Sequence, residues 1–230
     1  MLVVGVTGSI GMGKSTVAER FRAHGIGVCD ADAEVHRLYQ GAAAGLIEAA
    51  FPGTTVDGKV DRDKLSAALR RNPAGFKHLE AIVHPLVEAA EREFLRSEYS
   101  RGARMAVLEI PLLFETGGNA RVDVTIVVAA PASVQRQRVL QRPGMTAEKL
   151  EAILARQMPD ADKRRRADFV VDTGLPLEQS LAQVDAIIAM LQNREGTAYC
   201  RFWAGLTAGT EGRDDPDAAR DRPRYGDDGP

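Results

Sequence analysis

Near the start of the chain, Gly8-Ser9-Ile10-Gly11-Met12-Gly13-Lys14-Ser15 has the spacing glycine, four residues, then Gly-Lys-Ser. Residue types in this order make an anion cradle. Glycines at 8, 11 and 13 allow positive φ and let the backbone approach a polyphosphate, so that successive N–H groups and a helix N-terminus point at it. Lys14 adds a point charge for β- and γ-phosphates, and the Ser15 hydroxyl suits the magnesium ion that such phosphates carry. Gly8 through Thr16 are therefore expected to hold a nucleoside triphosphate. They say nothing about what receives a phosphoryl group.

Other residues could supply the remaining chemistry. Asp30 and Asp32 follow a short apolar run, Ile26 to Cys29. Either could orient an acceptor hydroxyl and finally take its proton, or one could cap the helix that begins around Glu34. Spacing does not choose between them. Glu109 ends another apolar run, the place where phosphate-loop enzymes hold the hydration shell of magnesium. Arg138 and Arg142 are four residues apart. On one helix they share a face and suit the clamping of phosphate oxygens, whereas Arg136 points elsewhere and is read as solvated. Lys163-Arg164-Arg165-Arg166 is the densest basic run and reads as a solvated face. Proline disrupts a helix interior, so His84-Pro85 marks a helix start or a kink and leaves His84 at an accessible point.

These residues need elements to hold them. Leu2 to Thr7 reads as a buried strand, and Lys14 to Arg22 as a helix with Val17, Ala18 and Phe21 on one face. Further strands are expected at Ile26 to Cys29, Arg104 to Ile110, Val122 to Ala129 and Phe169 to Asp172, with a closing helix from Leu177 to Leu191. Between the second and third strands the pattern is helical, punctuated by Pro52-Gly53 and Asp57-Gly58 as a loop, with Asp61 placed to cap the helix Arg62 to Arg70. That span is far longer than a crossover needs, so it reads as an inserted lobe. A helix containing Arg156 and Gln157 is expected after Thr146. The fold class is α/β, a three-layer P-loop NTPase fold with a five-stranded parallel sheet, a helical substrate lobe at about 35–100 and a helical lid at about 136–165. The kinase-like domain is placed at 1–194 and a disordered tail at 195–230.

The chain has 230 residues and a formal net charge of −2. That is enough for one α/β domain with an insertion, and nothing in it argues for nucleic acid or a polybasic membrane surface. From Glu211 to Pro230 there are seven acidic and four basic residues, a net −3, which leaves about +1 for the remainder. Cys29 and Cys200 show no metal spacing, which suits a reducing, cytoplasmic setting, and Cys29 is expected to pack as a small apolar residue. The first apolar run is strand-length and ends at Gly8, so it does not read as a signal peptide, and no apolar stretch is long enough for a membrane helix.

Eight separated motifs together resemble the dephospho-CoA kinase family. They are Gly-Ser-Ile-Gly-Met-Gly-Lys-Ser-Thr-Val at 8–17, Asp-Ala-Asp at 30–32, Asp-Arg-Asp-Lys-Leu at 61–65 and Ile-Val-His-Pro-Leu-Val at 82–87, followed by Pro-Leu-Leu-Phe-Glu at 111–115, Arg-Val-Leu-Gln-Arg at 138–142, Arg-Gln-Met-Pro at 156–159 and Ala-Asp-Phe-Val-Val-Asp at 167–172. The resemblance implies transfer of the γ-phosphoryl group of ATP, with Mg2+, to the ribose 3′-hydroxyl of dephospho-CoA. It implies Asp32 as the base, with Lys14 and Arg138 as catalytic partners. Gly8, Ser9, Ile10, Gly11, Met12, Gly13, Lys14, Ser15, Thr16 and Arg142 would contact ATP, and Asp32, His84, Pro85, Leu112 and Glu115 the acceptor. Ser15 would meet the metal, with Glu109 acting through water. ATP and dephospho-CoA are the expected partners, and a monomer or weak homo-oligomer is expected. The family places an asparagine and a glycine after the last strand where this chain has Asp172-Thr173-Gly174, so an adenine contact there would fall to backbone. Rival readings are another small-molecule kinase and a nucleotide-gated regulatory module. No guanine-selecting Asn-Lys-x-Asp segment supports the latter.

Overall fold

A strand buried on both faces reads as an unbroken apolar run, and two such runs form the centre of the molecule. All six residues of β1 (Leu2–Thr7) and all six of β6 (Val124–Ala129) are buried. The computed structural model describes residues 1–205. In chain order the elements are β1, α1 (Lys14–Ala23), β2 (Gly27–Asp30), α2 (Ala31–Tyr39), α3 (Ala44–Ala50), β3 (Thr55–Val56), β4 (Lys59–Val60), α4 (Arg62–Arg71) and α5 (Gly75–Ser100). They continue with β5 (Met105–Glu109), β6, α6 (Ala132–Leu140), α7 (Ala147–Leu154), α8 (Asp160–Arg166), β7 (Phe169–Asp172) and α9 (Leu177–Leu191).

The main sheet is parallel and five-stranded, in the order β2-β5-β1-β6-β7. β1 is flanked by β5, with Leu2 opposite Met105, and by β6, with Val4 opposite Val124. Alternation sends successive β6 side chains to opposite faces. Val124, Ile126 and Val128 join Val17, Phe21, Val184 and Ile187 of α1 and α9 in one core. Val127 and Ala129 face Phe114 and Met158 on the other side. The result is the expected three layers. α1 and α9 are also tied by charge, because Arg20 grips both oxygens of Asp185 at 2.6 Å and His24 lies 2.8 Å from the same carboxylate. The Arg20 hydrogen bond is the main cause that depresses the Asp185 carboxyl to about 2.

The chain forms two compact units, one of Met1–Val28 with the chain from Leu95 onward, the other Cys29–Phe94. The second has its own core, in which Leu38, Ile47, Val60, Leu65, Leu69 and Val83 are buried. Its Asp57-Gly58 segment, expected as a loop, is the turn of a small antiparallel hairpin of β3 and β4. Both turn residues have positive φ, 50° at Asp57 and 74° at Gly58, the pairing that lets two strands return with their natural twist. The four residues are too few to show a strand period in the sequence. Asp61 caps α4 as expected, accepting from Asp63 N at 3.1 Å and Lys64 N at 3.0 Å.

Residues 195–205, placed in the expected tail, include a segment held to the first unit. Asp123 accepts Val3 N through Oδ2 at 2.8 Å and Thr197 N and Ala198 N through Oδ1 at 2.7 and 2.8 Å. One turn of π-helix, Tyr199–Trp203, then buries Tyr199 and Trp203. Trp203 Nε1 donates to Arg121 O at 2.9 Å, and Tyr199 stacks on Tyr99 with centroids 4.4 Å apart. The aromatic residues give this segment the apolar area that the acidic stretch after it lacks. That stretch, from Glu211 to Pro230, lies outside the described residues.

The α1–α9 tie has a pH signature. A carboxylate with a folded pKa of about 2, against an unfolded value near about 3.9, stabilises fully above the unfolded value and ceases to do so as pH falls through the folded one. Asp185→Asn should lower the thermal midpoint at pH 7, and the gap to the wild-type chain should close between about pH 4 and pH 2. Calorimetric or circular-dichroism melts across that range read it directly.

Candidate active site

β1 ends at Thr7 and the chain enters the glycine loop against its neighbours. A side chain at Gly8 would overlap the Val128 carbonyl of β6, and one at Gly11 would overlap the Val139 side chain of α6. Gly11 and Gly13 have φ of 76° and 87°, the left-handed region that glycine enters without steric cost. Gly13 is the N-cap of α1 and supplies no side-chain cap, so the helix N-terminus is left as an anion site. Lys14 Nζ arches back to donate to Gly8 O at 3.0 Å. Ser15 and Thr16 are exposed at the start of α1, while Ser9 is buried.

The loop is braced by side chains from three later segments. Gln135 Nε2 donates to Ile10 O at 2.8 Å, and Ile10 N donates to Gln157 Oε1 at 3.2 Å, so the Ile10 residue is held by both its backbone groups. Ala130 N donates to the Met12 sulfur at 3.1 Å. Thr173 Oγ1 donates to Met12 O at 2.6 Å. Arg138 donates to this same threonine, through Nη1 to Oγ1 at 3.1 Å and through Nη2 to the carbonyl at 2.7 Å.

Two helix expectations need correction here. α6 ends at Leu140 with Gln141 as its C-cap, because Pro143 cannot continue a helix and Gly144 takes φ of 73°. Arg142 is therefore exposed in the turn and does not share a helix face with Arg138. α7 likewise ends at Leu154, so Arg156 and Gln157 lie beyond it, and it is this non-helical position that lets Gln157 reach the loop. Arg136 is exposed and pairs with Glu151 at 3.1 Å.

The segment after β5 is anchored from below. Glu109 is buried, opposite Val6 in the sheet register. Thr7 Oγ1 donates to Pro111 O at 3.1 Å. Leu112 is 38 % exposed. Glu115 is held from within the same unit: its Oε1 lies 2.9 Å from Lys163 Nζ and accepts from Met158 N at 2.8 Å. Burial pushes the Glu115 carboxyl upward, but the Lys163 ammonium and the Met158 N–H outweigh it and hold the group below its ordinary value. Lys163 is 0 % exposed and also lies 3.3 Å from Pro111 O. The basic run is thus not one solvated face, since its first member turns inward while Arg164 and Arg165 pair with Asp160 and Asp162.

In the second unit the two aspartates separate cleanly. Asp30 Oδ1 accepts from Asp32 N at 2.9 Å and Ala33 N at 3.1 Å, so Asp30 is the cap of α2. Asp32 stands in the first turn of that helix and is exposed. Cys29 is buried, as expected, and burial together with the nearby carboxylates of Glu91, Glu34 and Asp30 pushes its thiol up to about 12, leaving it unreactive. α5 runs unbroken through Pro85, so the pair His84-Pro85 does not start a helix. The long amphipathic element on either side tolerates the lost backbone donor, and His84 and Pro85 are both exposed.

Gln135 was not singled out by the sequence pattern, and Thr173, Gln157 and Lys163 were named there without the contacts they make. Gln157 sits within the Arg-Gln-Met-Pro motif, which was a usable signal. The other three are identified only by what they touch.

A parallel sheet whose central strand runs through a glycine loop into a helix bearing Lys14 and Ser15 defines a P-loop kinase fold. The family model described as dephospho-CoA kinase matches residues 2–177, and the chain belongs to the dephospho-CoA kinase family. It is 60 % identical over 197 residues to the dephospho-CoA kinase of Mesorhizobium japonicum, covering 86 % of this chain and all of that protein. Among solved structures it is similar to TT1252 from Thermus thermophilus, with a TM-score of 0.71 and 38 % identity over 83 % of this chain and 97 % of that one. The dephospho-CoA kinase of Campylobacter jejuni gives a TM-score of 0.63 and 26 % identity, with coverage of 82 % and 96 %.

Lys163 is fully buried and its partner Glu115 half-buried, so removing the lysine leaves the carboxylate largely uncompensated. Lys163→Met should therefore cost about 3–5 kcal/mol in urea unfolding, and Lys163→Met with Glu115→Gln should recover much of it.

Proposed function

We propose that the chain transfers the γ-phosphoryl group of ATP to the ribose 3′-hydroxyl of dephospho-CoA, releasing CoA and ADP. The observation that carries the donor half of this reading is the uncapped N-terminus of α1 behind a left-handed glycine, with Lys14 folded over the loop; the acceptor half is supported by membership of the dephospho-CoA kinase family. In such a frame the loop N–H groups and Lys14 bind the triphosphate. The acceptor oxygen attacks the γ-phosphorus, the bond from that phosphorus to the bridging oxygen breaks, and the acceptor proton passes to Asp32.

Asp32 is the better base of the two aspartates because Asp30 is spent on the helix cap. In a loose transition state its main work is to aim the hydroxyl in line, with proton transfer late. Arg138 and Arg142 supply cations for phosphate oxygens. His84 and Pro85 on α5, together with Leu112, are the acceptor contacts that this reading assigns.

Magnesium fits the residues present. Among the described residues no group of three or more His, Cys, Asp or Glu side chains could hold a metal on its own. That suits an ion delivered on phosphates, which takes one or two protein ligands and keeps its waters. Ser15 would hold it, with Glu109 acting through water, and when bound it neutralises charge on the β- and γ-oxygens. The reading also places the chain in the cytoplasm as a monomer or weak homo-oligomer acting on small molecules. Two unpaired cysteines support the reducing compartment, and no helix among the described residues is long and apolar enough to cross a membrane.

ATP consumption measured with and without dephospho-CoA tests the assignment, since turnover with a different hydroxyl acceptor alone would redirect it. Asp32→Asn should keep ATP binding and lower kcat by about 10²- to 10⁴-fold. Near-normal turnover in that variant removes Asp32 from the base role.

A further inference from the structure

The turn after β7 is joined to the glycine loop through one side chain. Thr173 is only 5 % exposed, and its hydroxyl has a single proton to give. That proton goes to Met12 O at 2.6 Å, since the alternative acceptor, Ala129 O, is at 3.3 Å. The oxygen then receives Arg138 Nη1 at 3.1 Å, while the Thr173 carbonyl receives Nη2 at 2.7 Å. The backbone of Thr173 is itself fixed, its N–H donating to Ala129 O at 2.8 Å. Gly13 lies so close that a side chain there would sit 3.1 Å from the threonine oxygen.

A guanidinium on a long, flexible stem is a poor phosphate ligand unless something fixes it, because ordering the side chain costs entropy. Here the same residue that fixes the arginine also fixes the loop carbonyl between Met12 and Gly13. Thr173 therefore sets the distance from the cation to the loop, and a residue lacking the hydroxyl would lose the tie to Met12 O and one of the two bonds to Arg138, keeping only the Nη2 bond to the backbone carbonyl.

We propose that Thr173 is a positioning residue for phosphoryl transfer, registering the Arg138 guanidinium against the Met12–Gly13 portion of the glycine loop. The proposal rests on reading that loop as the ATP cradle and Arg138 as a cation for its phosphates. Threonine acts here through Arg138 and the loop backbone, without contact to the reacting atoms.

Thr173→Val keeps the shape and removes the hydroxyl. It should lower kcat/KM for ATP by about 10- to 100-fold, the scale of a lost hydrogen bond to a charged group, and Thr173→Ser should recover activity to within about threefold of wild type, since it restores the same donor and acceptor. A double-mutant cycle with Arg138→Met separates positioning from plain support. If Thr173 acts through Arg138, Thr173→Val adds little to the loss already caused by Arg138→Met. Full additivity, wild-type kinetics in Thr173→Val, or no recovery in Thr173→Ser would each overturn the proposal. Should Thr173→Val not fold in a urea titration, Thr173→Ala enters the same cycle. Lys14→Ala distinguishes the two levels of inference. Weakened ATP binding in it alongside normal Thr173→Val kinetics removes only the role of Thr173, whereas unchanged ATP binding in Lys14→Ala removes the cradle reading itself.

Discussion

Two glycines in the phosphate loop, Gly8 and Gly11, have no room for a side chain and a third, Gly13, is tightly enclosed, and the arrangement of the first unit depends on that lack of space. Gly8 is closed off by the β6 backbone, Gly11 by α6 and Gly13 by the turn after β7. The wall of the cradle is therefore built from segments more than a hundred residues further along the chain. The loop's own sequence permits its left-handed turns, but its final shape is imposed by neighbours packed at interior density.

Polar groups finish what steric exclusion begins. A loop carbonyl or N–H buried without a partner would cost about 1–3 kcal/mol, and here the partners come from Gln135, Gln157 and Thr173. Their ties make the loop geometry depend on the placement of α6, of the segment after α7 and of the end of β7. Glu115 and Lys163 form a second, drier anchor, holding the segment after β5 against α8. Such a pair adds little net stability compared with an apolar substitute, yet its charges can be satisfied only in one docking of the two segments.

Much of this was legible in the residues. The five sheet strands stand within two residues of their expected limits, because buried parallel strands are continuous apolar runs that glycine and proline punctuate. Asp57-Gly58 was seen as punctuation but not as a hairpin turn, since β3 and β4 have two residues each and no period can be read from two. His84-Pro85 reads in sequence as a helix start or a kink, but α5 runs from Gly75 to Ser100 through the proline, because the apolar stripe on both sides outweighs one lost backbone donor. Lys163 looked like one of four surface cations, and only the half-buried Glu115 opposite it tells it apart. Thr173 stood out only as part of Asp172-Thr173-Gly174, and its tie to the loop was not legible, because its partners Met12 and Arg138 are 161 and 35 residues away in sequence.

The position of β1 also governs when the site can exist. Leu2 is registered with Met105 and Val4 with Val124, so β1, the earliest of the five strands in sequence, is the middle strand of the finished sheet. Until its two neighbours have been made, the strand and its glycine loop have nothing to close against, and the loop-closure entropy of those pairings must be met before any of them forms. Thr197 and Ala198 reach the Asp123 carboxylate that also receives Val3 N, which postpones the last of these contacts to nearly the end of the described chain. The phosphate loop is thus synthesised before the segments that close it, and can become an anion site only after translation has passed β7.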